Sequence, residues 1–183
     1  MSVFEVLEKF LDEKEKQPYP VHQYAFVSPK DITFSEHVRA ACESNMCGRY
    51  GKSWTCPPGA GDWRDLAEHY RGYGNALVFT TKHDIEDSFD VEGMAAAAKE
   101  HAKVDEAVLK LLEKLDEPYE LSGAGSCSVC TECTYPDAPC RFPKKARRSM
   151  EACGIDVVAL SRHCQINYTN GTNTVTYFSI IYY

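Results

Sequence analysis

Seven of the nine cysteines in this chain fall into two clusters, and their spacing is the first sign of chemistry. In the downstream cluster, GAGSCSVCTECTYPDAPCRFP from Gly123, the thiols are spaced Cys127-x2-Cys130-x2-Cys133-x6-Cys140. Cysteines at steps of three residues let one loop wrap a cubane, each sulfur meeting a different iron. The small residues between them let backbone N–H groups approach the inorganic sulfides. A bacterial ferredoxin run begins with the same two intervals, before a fourth cysteine that serves a second cluster. Here the fourth thiol lies six residues on and is followed by Arg-Phe-Pro rather than by proline. Which cluster Cys140 ligates therefore stays open. Zinc is the alternative, although a structural zinc usually takes two separated Cys-x2-Cys knuckles. Redox-active thiols are a third reading. The Cys-x3-Cys-x2-Cys pattern of radical enzymes that use S-adenosylmethionine is absent.

The upstream cluster, CESNMCGRYGKSWTCPPGAGDW, is spaced Cys42-x4-Cys47-x8-Cys56-Pro-Pro. A proline directly after a cysteine stiffens the loop and removes a donor that would need a partner. Gly48, Gly51, Gly59 and Gly61 allow tight bends beside a bulky inorganic group, and Tyr50 and Trp54 can shield it from water. Three thiols leave one ligand missing. Cys153 or Cys164 could supply it, or an iron could stay open and bind substrate or hydroxide as a Lewis acid, as an open catalytic zinc does. Further readings are one site of unusual nuclearity shared by all seven thiols, and plain buried thiols. Taken singly, Cys153 and Cys164 read as core residues. The charge turns positive after the downstream cluster, at Arg141, Lys144, Lys145, Arg147 and Arg148. Of these, Arg141, Lys144 and Arg147 are the candidate cofactor-contacting residues, because cations stabilise an anionic thiolate cluster and raise its potential. The same residues suit an acidic electron carrier or a solvated helix face.

A chain of 183 residues with 44% apolar content supports one domain with a real core and a cysteine-rich lobe over residues 42–61 and 123–142. A net charge of −7 argues against a bulk nucleic-acid footprint. The opening MSVFEVLEKFLDEKEKQ has neither the basic leader nor the apolar run of a secretory signal. No stretch reaches the roughly 18 apolar residues of a membrane span. A cytoplasmic chain without membrane or nucleic-acid partners is expected, with a redox protein as its possible partner. In a reducing compartment clustered cysteines bind metal or do redox work rather than pair.

These loops must be positioned by ordinary elements. Residues 2–16 read as an amphipathic helix with a Ser2/Glu5 capping box. YAFV and DITF read as strand pieces, and Ser35 opens a helix towards Cys42. Asp62 caps WRDLAEHYR, which stops at Gly72, and ALVFTT at 76–81 is a buried strand. Glu92–Leu115 is the strongest helix, its apolar stripe including His101 as a satisfied core histidine. PYELSG suggests a strand. KKARRSMEAC, between Pro143 and Gly154, suggests a short helix. The Asn-Gly pair in CQINYTNGTNTVTYFSIIYY predicts a hairpin with a buried last strand. The expected fold is α/β or α+β, a small mixed sheet flanked by helices with a cysteine-rich metal-binding lobe.

The combination of CGRYGKSWTCPP, GAGSCSVCTECTYPDAPCRFP, SMEACGIDV and TVTYFSIIYY resembles a family of predicted metal-binding proteins, domain of unknown function 2284, from about Val21 onwards. The resemblance implies that Cys47, Cys56, Cys127, Cys130, Cys133 and Cys140 are metal positions with Cys42 among them, and that Cys153 and Cys164 lie outside the pattern. It implies no reaction. The functional expectation is one or two iron–sulfur clusters of the 4Fe-4S type for electron transfer or cluster-based redox chemistry. The alternatives are an enzyme with an open iron and a zinc-stabilised interaction module. Both cysteine segments are poor in apolar residues, so stripping the metal is expected to loosen 42–61 and 123–142. Hydrogen exchange checks this: equal protection with and without metal would contradict it.

Overall fold

Apolar residues on both faces of one strand divide the core in two. Strand β2 (Ala76–Asp84) sends Leu77 and Phe79 to one side and Ala76 and Val78 to the other, all at most 1% exposed. The computed structural model describes residues 1–183. Besides β2 its sheet contains β1 (Gln23–Val27), β3 (Glu120–Ser122) and β4 (Thr174–Tyr182) in the order β1-β2-β4-β3. All three pairings are antiparallel, so the α+β class is as expected while the sheet is antiparallel rather than mixed. β2 and β4 are the central strands and pair over nine residues, from Ala76↔Tyr182 to Asp84↔Thr174. No helix is long and apolar enough to cross a membrane.

Helices α1 (Val3–Asp12) and α4 (Val91–Leu112) cover one face, where Val3, Leu7, Val104, Val108 and Leu112 meet Leu77, Phe79 and Ile181. The capping box at Ser2 is present: Glu5 N–H donates to its hydroxyl, and Ser2 N–H donates to the Glu5 carboxylate. Helix α1 ends at Asp12, and a separate 3-10 turn occupies Lys14–Lys16. Helices α2 (Glu36–Glu43), α3 (Trp63–Arg71) and α5 (Val157–His163) lie along the chain that builds the other side. There Leu66, Tyr70, Ile155 and Leu160 pack on Val78, Ile180 and Tyr182. Ser35 and Asp62 cap α2 and α3 as expected.

Two expectations are corrected. KKARRSMEAC forms only a 3-10 turn, Glu151–Cys153, capped by Gly154 at φ 81. Residues 144–148 instead lie as a turn and open chain, with Arg148 C=O accepting from Gly123 N–H at 3.1 Å. The Asn-Gly hairpin is also absent. GIDVVALSRH supplies α5, capped by Asp156, and residues 165–173 form a loop before β4. Asp156 followed by Val-Val-Ala-Leu was a helix start with a β-like composition, and packing on the sheet decided it.

One polar line runs through the α4 side. His101 Nδ1 lies 2.8 Å from Thr81 Oγ1, and its Nε2 lies 2.9 Å from Ser179 Oγ. Ser179 donates to Asp105 Oδ1 at 2.7 Å. His101 is thus the satisfied core histidine expected, and Asp105, four residues on, is buried with it. Desolvation pushes the Asp105 carboxyl up to about 7 and the His101 imidazole down to about 4, with nearby His83 adding to the latter. The 3.9 Å approach of the two side chains is accordingly no ion pair, and Ser179 bridges them. A carboxyl raised above its unfolded value loses stability as pH rises from about 4 to about 7. An imidazole lowered below its unfolded value gains stability from about 4 to about 6.5. The two slopes oppose. Asp105→Asn should unmask the histidine, making stability rise more steeply than wild type by about 1 kcal/mol per pH unit between about pH 4.5 and about pH 6.5. Urea midpoints across that range check it, and parallel curves would contradict it.

Candidate metal centre

Helix α2 carries Cys42 near its end, and a buried arginine fixes that end to the core. Arg39 Nη1 donates to Ala152 C=O at 2.9 Å, while its Nε pairs with Glu43 at 3.2 Å. This clamp sets Cys42 beside the Glu151–Cys153 turn. The chain then winds through Asn45, which takes φ 58, and Gly48 and Gly51, at φ 70 and 67. Gly51 N–H donates to Pro57 C=O at 2.7 Å, closing the loop that brings Cys56 back. Cys42, Cys47 and Cys56 come to line one cavity of about 600 Å³. Burial raises the Cys42 thiol, the neighbouring Cys47 and Cys56 raise it further, and Arg39 opposes them. Cys47 is exposed, Cys42 half-buried and Cys56 buried, so the thiols step from solvent to core.

The downstream segment completes the same cavity with Gly125 and Ser126. It is tied to the fold at its start, where Gly123 C=O accepts from Met150 N–H at 3.1 Å next to β3. Its further course is pinned to the upstream segment. Cys127 N–H donates to Thr55 Oγ1 at 3.4 Å, and Trp54 Nε1–H donates to Ala138 C=O at 3.0 Å. The Trp54 indole meets the Tyr135 ring edge-on at 4.9 Å. Gly59 has no alternative here, because a Cβ would stand 2.5 Å from Ser53 C=O and 2.8 Å from the Tyr135 ring. Trp54 packs the two segments together, a larger part than the shielding expected of it.

The structure therefore brings both expected clusters into one lobe, but on different walls. Cys140 lines a cavity of about 460 Å³ with Trp54, Thr55 and Gly59. Cys127 lines a third, of about 120 Å³, with Lys145, Arg147 and Arg148. Cys130 and Cys133 are half-buried on the turns between and line none of these. No three Cys, His, Asp or Glu side chains meet at the distance a single ion requires. Among the cationic candidates, Arg147 faces the Cys127 cavity. Arg141 donates to Glu132 C=O at 2.8 Å and so braces the loop, and Lys144 is exposed. Cys153 and Cys164 do not join the cysteines of the lobe. Cys153 is fully buried beside Tyr70 Oη at 3.7 Å, its thiol pushed up to about 11 by burial, and Cys164 packs on the same core.

At the Cys42 cavity three thiols border open space that fits a thiolate-bound inorganic group, whereas Cys127, Cys130, Cys133 and Cys140 share no single cavity. Gly125 takes φ 74, and a Cβ there would project into open space beside two of the cavities, leaving backbone exposed to whatever fills them. His37, Arg49 and Glu151 share the wall with Cys42 and were not legible beforehand. His37 and Arg49 sit in polar sequence like any surface residue, and Glu151 is far along the chain from Cys42 and Cys47, with which it shares the cavity.

Comparison with known proteins gives one match. A family model described as predicted metal-binding protein (DUF2284) covers residues 25–182. No curated protein and no solved structure matches the chain. The match spans all seven clustered cysteines, with Cys153 and Cys164 inside the same range.

Overpacking the contact between the segments should open the lobe. Gly59→Ala is expected to cost about 1–3 kcal/mol and to lower the metal retained per chain after gel filtration. Wild-type melting and metal content in this variant would contradict the role given to the Trp54–Tyr135 contact.

Proposed function

Because the chain belongs to the DUF2284 family of predicted metal-binding proteins, we propose that its metal is an iron–sulfur cluster of the 4Fe-4S type, used for electron transfer or cluster-based redox chemistry. The carrying observation is that two distant cysteine segments are packed against each other with their thiols held apart: Cys42, Cys47 and Cys56 line one cavity, Cys127 and Cys140 line one each, and Cys130 and Cys133 lie on the turns between. A single zinc draws four sulfurs to about 2.3 Å of one point. A cluster holds its ligands apart by its own width, which suits spread donors. Cys127, Cys130, Cys133 and Cys140 would hold it, and Cys42, Cys47 and Cys56 would hold a second. Bound there, such a cluster supplies a one-electron couple. The residues of the chain set its surroundings. Arg147 with Lys145 and Arg148 places positive charge beside Cys127, favouring the reduced form, and Trp54, braced by Tyr135, forms part of the wall beside Cys140. The exposed Lys144 would meet an acidic redox partner in the cytoplasm.

A second reading rests on the size of the Cys42 cavity. About 600 Å³ walled by only three thiols leaves room for a small substrate at an iron lacking a fourth cysteine, with His37, Arg49 and Glu151 placed to bind and orient it. Purification under argon followed by iron, acid-labile sulfide and zinc determination tests both. Brown protein with iron and sulfide is expected. Cys130→Ala and Cys133→Ala should lose at least half of the iron, while Cys153→Ala and Cys164→Ala keep it. Colourless protein with stoichiometric zinc would replace the proposal with a zinc-stabilised module. A visible or magnetic spectrum that shifts on adding small thiols or anions would favour the open iron.

A further inference from the structure

The polar line beneath α4 has one end at the cysteine lobe. Asp105 forms part of the floor of the 120 Å³ cavity that Cys127, Arg147 and Lys145 wall. Its Oδ2 lies against the backbone of Gly123, 3.0 Å from where a Cβ would stand. From Oδ1 the line passes through Ser179 at 2.7 Å, His101 at 2.9 Å and Thr81 at 2.8 Å, and reaches His83 Nε2 in a further 2.8 Å. All five residues are at most 5% exposed. At the far end His83 stacks on Tyr19, ring centroids 4.1 Å apart, and its Nδ1 has no partner within the protein yet is not sealed from solvent.

Every interior member of this line both gives and takes a proton. Serine and threonine hydroxyls and neutral imidazoles each donate and accept, so the line has two complete orientations and no dead end. A hydrolytic triad is a poor description. Ser179 is fully buried on a central strand, and it separates His101 from Asp105 instead of standing free as a nucleophile.

We propose that Asp105, Ser179, His101, Thr81 and His83 form a proton conductor between the His83 face and the cavity beneath the cysteine loop. A proton from solvent binds His83 Nδ1, and His83 passes its Nε2 proton to Thr81 Oγ1. Thr81 passes its own to His101 Nδ1, His101 gives its Nε2 proton to Ser179, and Ser179 gives its proton to Asp105. One proton enters, one carboxylate becomes a carboxylic acid, and every interior group ends neutral. Resting on the proposed cluster, the line has a use. With a cluster held at the cysteine loop and reduced by an external one-electron donor, a proton on Asp105 would offset the added negative charge and would leave again on oxidation. Arg147 favours the ionised form of Asp105 and Glu106 the protonated form, with Lys145 and Arg148 around the same cavity. At the other end Glu100 and Asp84 favour proton capture by His83 against its burial, between the rings of Tyr19 and Tyr177. Burial holds Asp105 at about 7, where a modest change of field moves it between its two forms.

Two measurements on the full chain test this. Infrared difference spectroscopy should show a protonated-carboxyl band that titrates near neutral pH and vanishes in Asp105→Asn. After a photochemical proton release, Thr81→Val should slow the appearance of that band at least tenfold without moving its midpoint. His83→Phe, at the rim, should do the same if Thr81→Val does not fold. Equal rates in the folded variant would overturn the conductor, since a merely structural threonine alters stability and not kinetics. In iron-loaded protein the potential should fall by about 59 mV per pH unit, the one-electron equivalent of a tenfold change, and become independent of pH in Asp105→Asn. A pH-independent wild type would overturn the coupling. Protein that takes up no metal would overturn the cluster and the coupling together, and the infrared kinetics then decide the conductor alone.

Discussion

The contact between Trp54 and Tyr135 holds the lobe in one piece. Neither cysteine segment has apolar residues enough for a core of its own, so each uses the other. The indole lies on the tyrosine edge, its N–H is satisfied by Ala138, and Gly59 supplies the space in which the two can meet. Aromatic pairs of this geometry add about 0.5–1.5 kcal/mol beyond the area they bury. That is small against a whole fold and large against two loops that otherwise rest on a few backbone hydrogen bonds. It joins the two loops between their anchored ends, with Arg39 holding the Cys42 side and Gly123 the start of the downstream segment.

The scaffold beneath is unequal on its two sides. The α1–α4 side is apolar except for one continuous line of hydrogen-bonded groups, and the opposite side is aromatic, with Tyr70 stacked on Tyr182 at 4.4 Å next to Cys153. Buried polar groups are tolerated when each finds a partner, and they then restrict the core to one arrangement. Here that restriction reaches from a strand centre to the wall of a cavity in the lobe, joining a rigid part of the molecule to its least apolar part.

Much of this was legible beforehand. The caps at Ser2, Ser35 and Asp62, the strand at 76–81 and the long helix with His101 on its stripe all carry local signals that packing did not contradict. The two cysteine groups were legible as groups, because spacing is itself chemistry. What failed was decided by distant contacts. The turn expected between two strands at Asn170-Gly171 is a loop, because the residues before it pack as α5 on the sheet rather than pairing in it. The run after Pro143 makes a turn and is then tied at Arg148 to Gly123, a partner some 25 residues away. Asp105 carried a faint signal, a carboxylate next to Val104 and one turn beyond a core histidine. The meeting of the two cysteine segments had none, since no local rule tells Trp54 that Tyr135 exists.

The central place of β4 bears on biosynthesis. Domains are made from the N-terminus onward, and both cysteine segments precede the strand that lies between β2 and β3. While the ribosome is still working on residues 174–182, β2 lacks its longest neighbour and β3 has none. All nine thiols have then been synthesised above an unfinished sheet. Until that ladder closes, the downstream cysteine segment leaves a strand that has no partner.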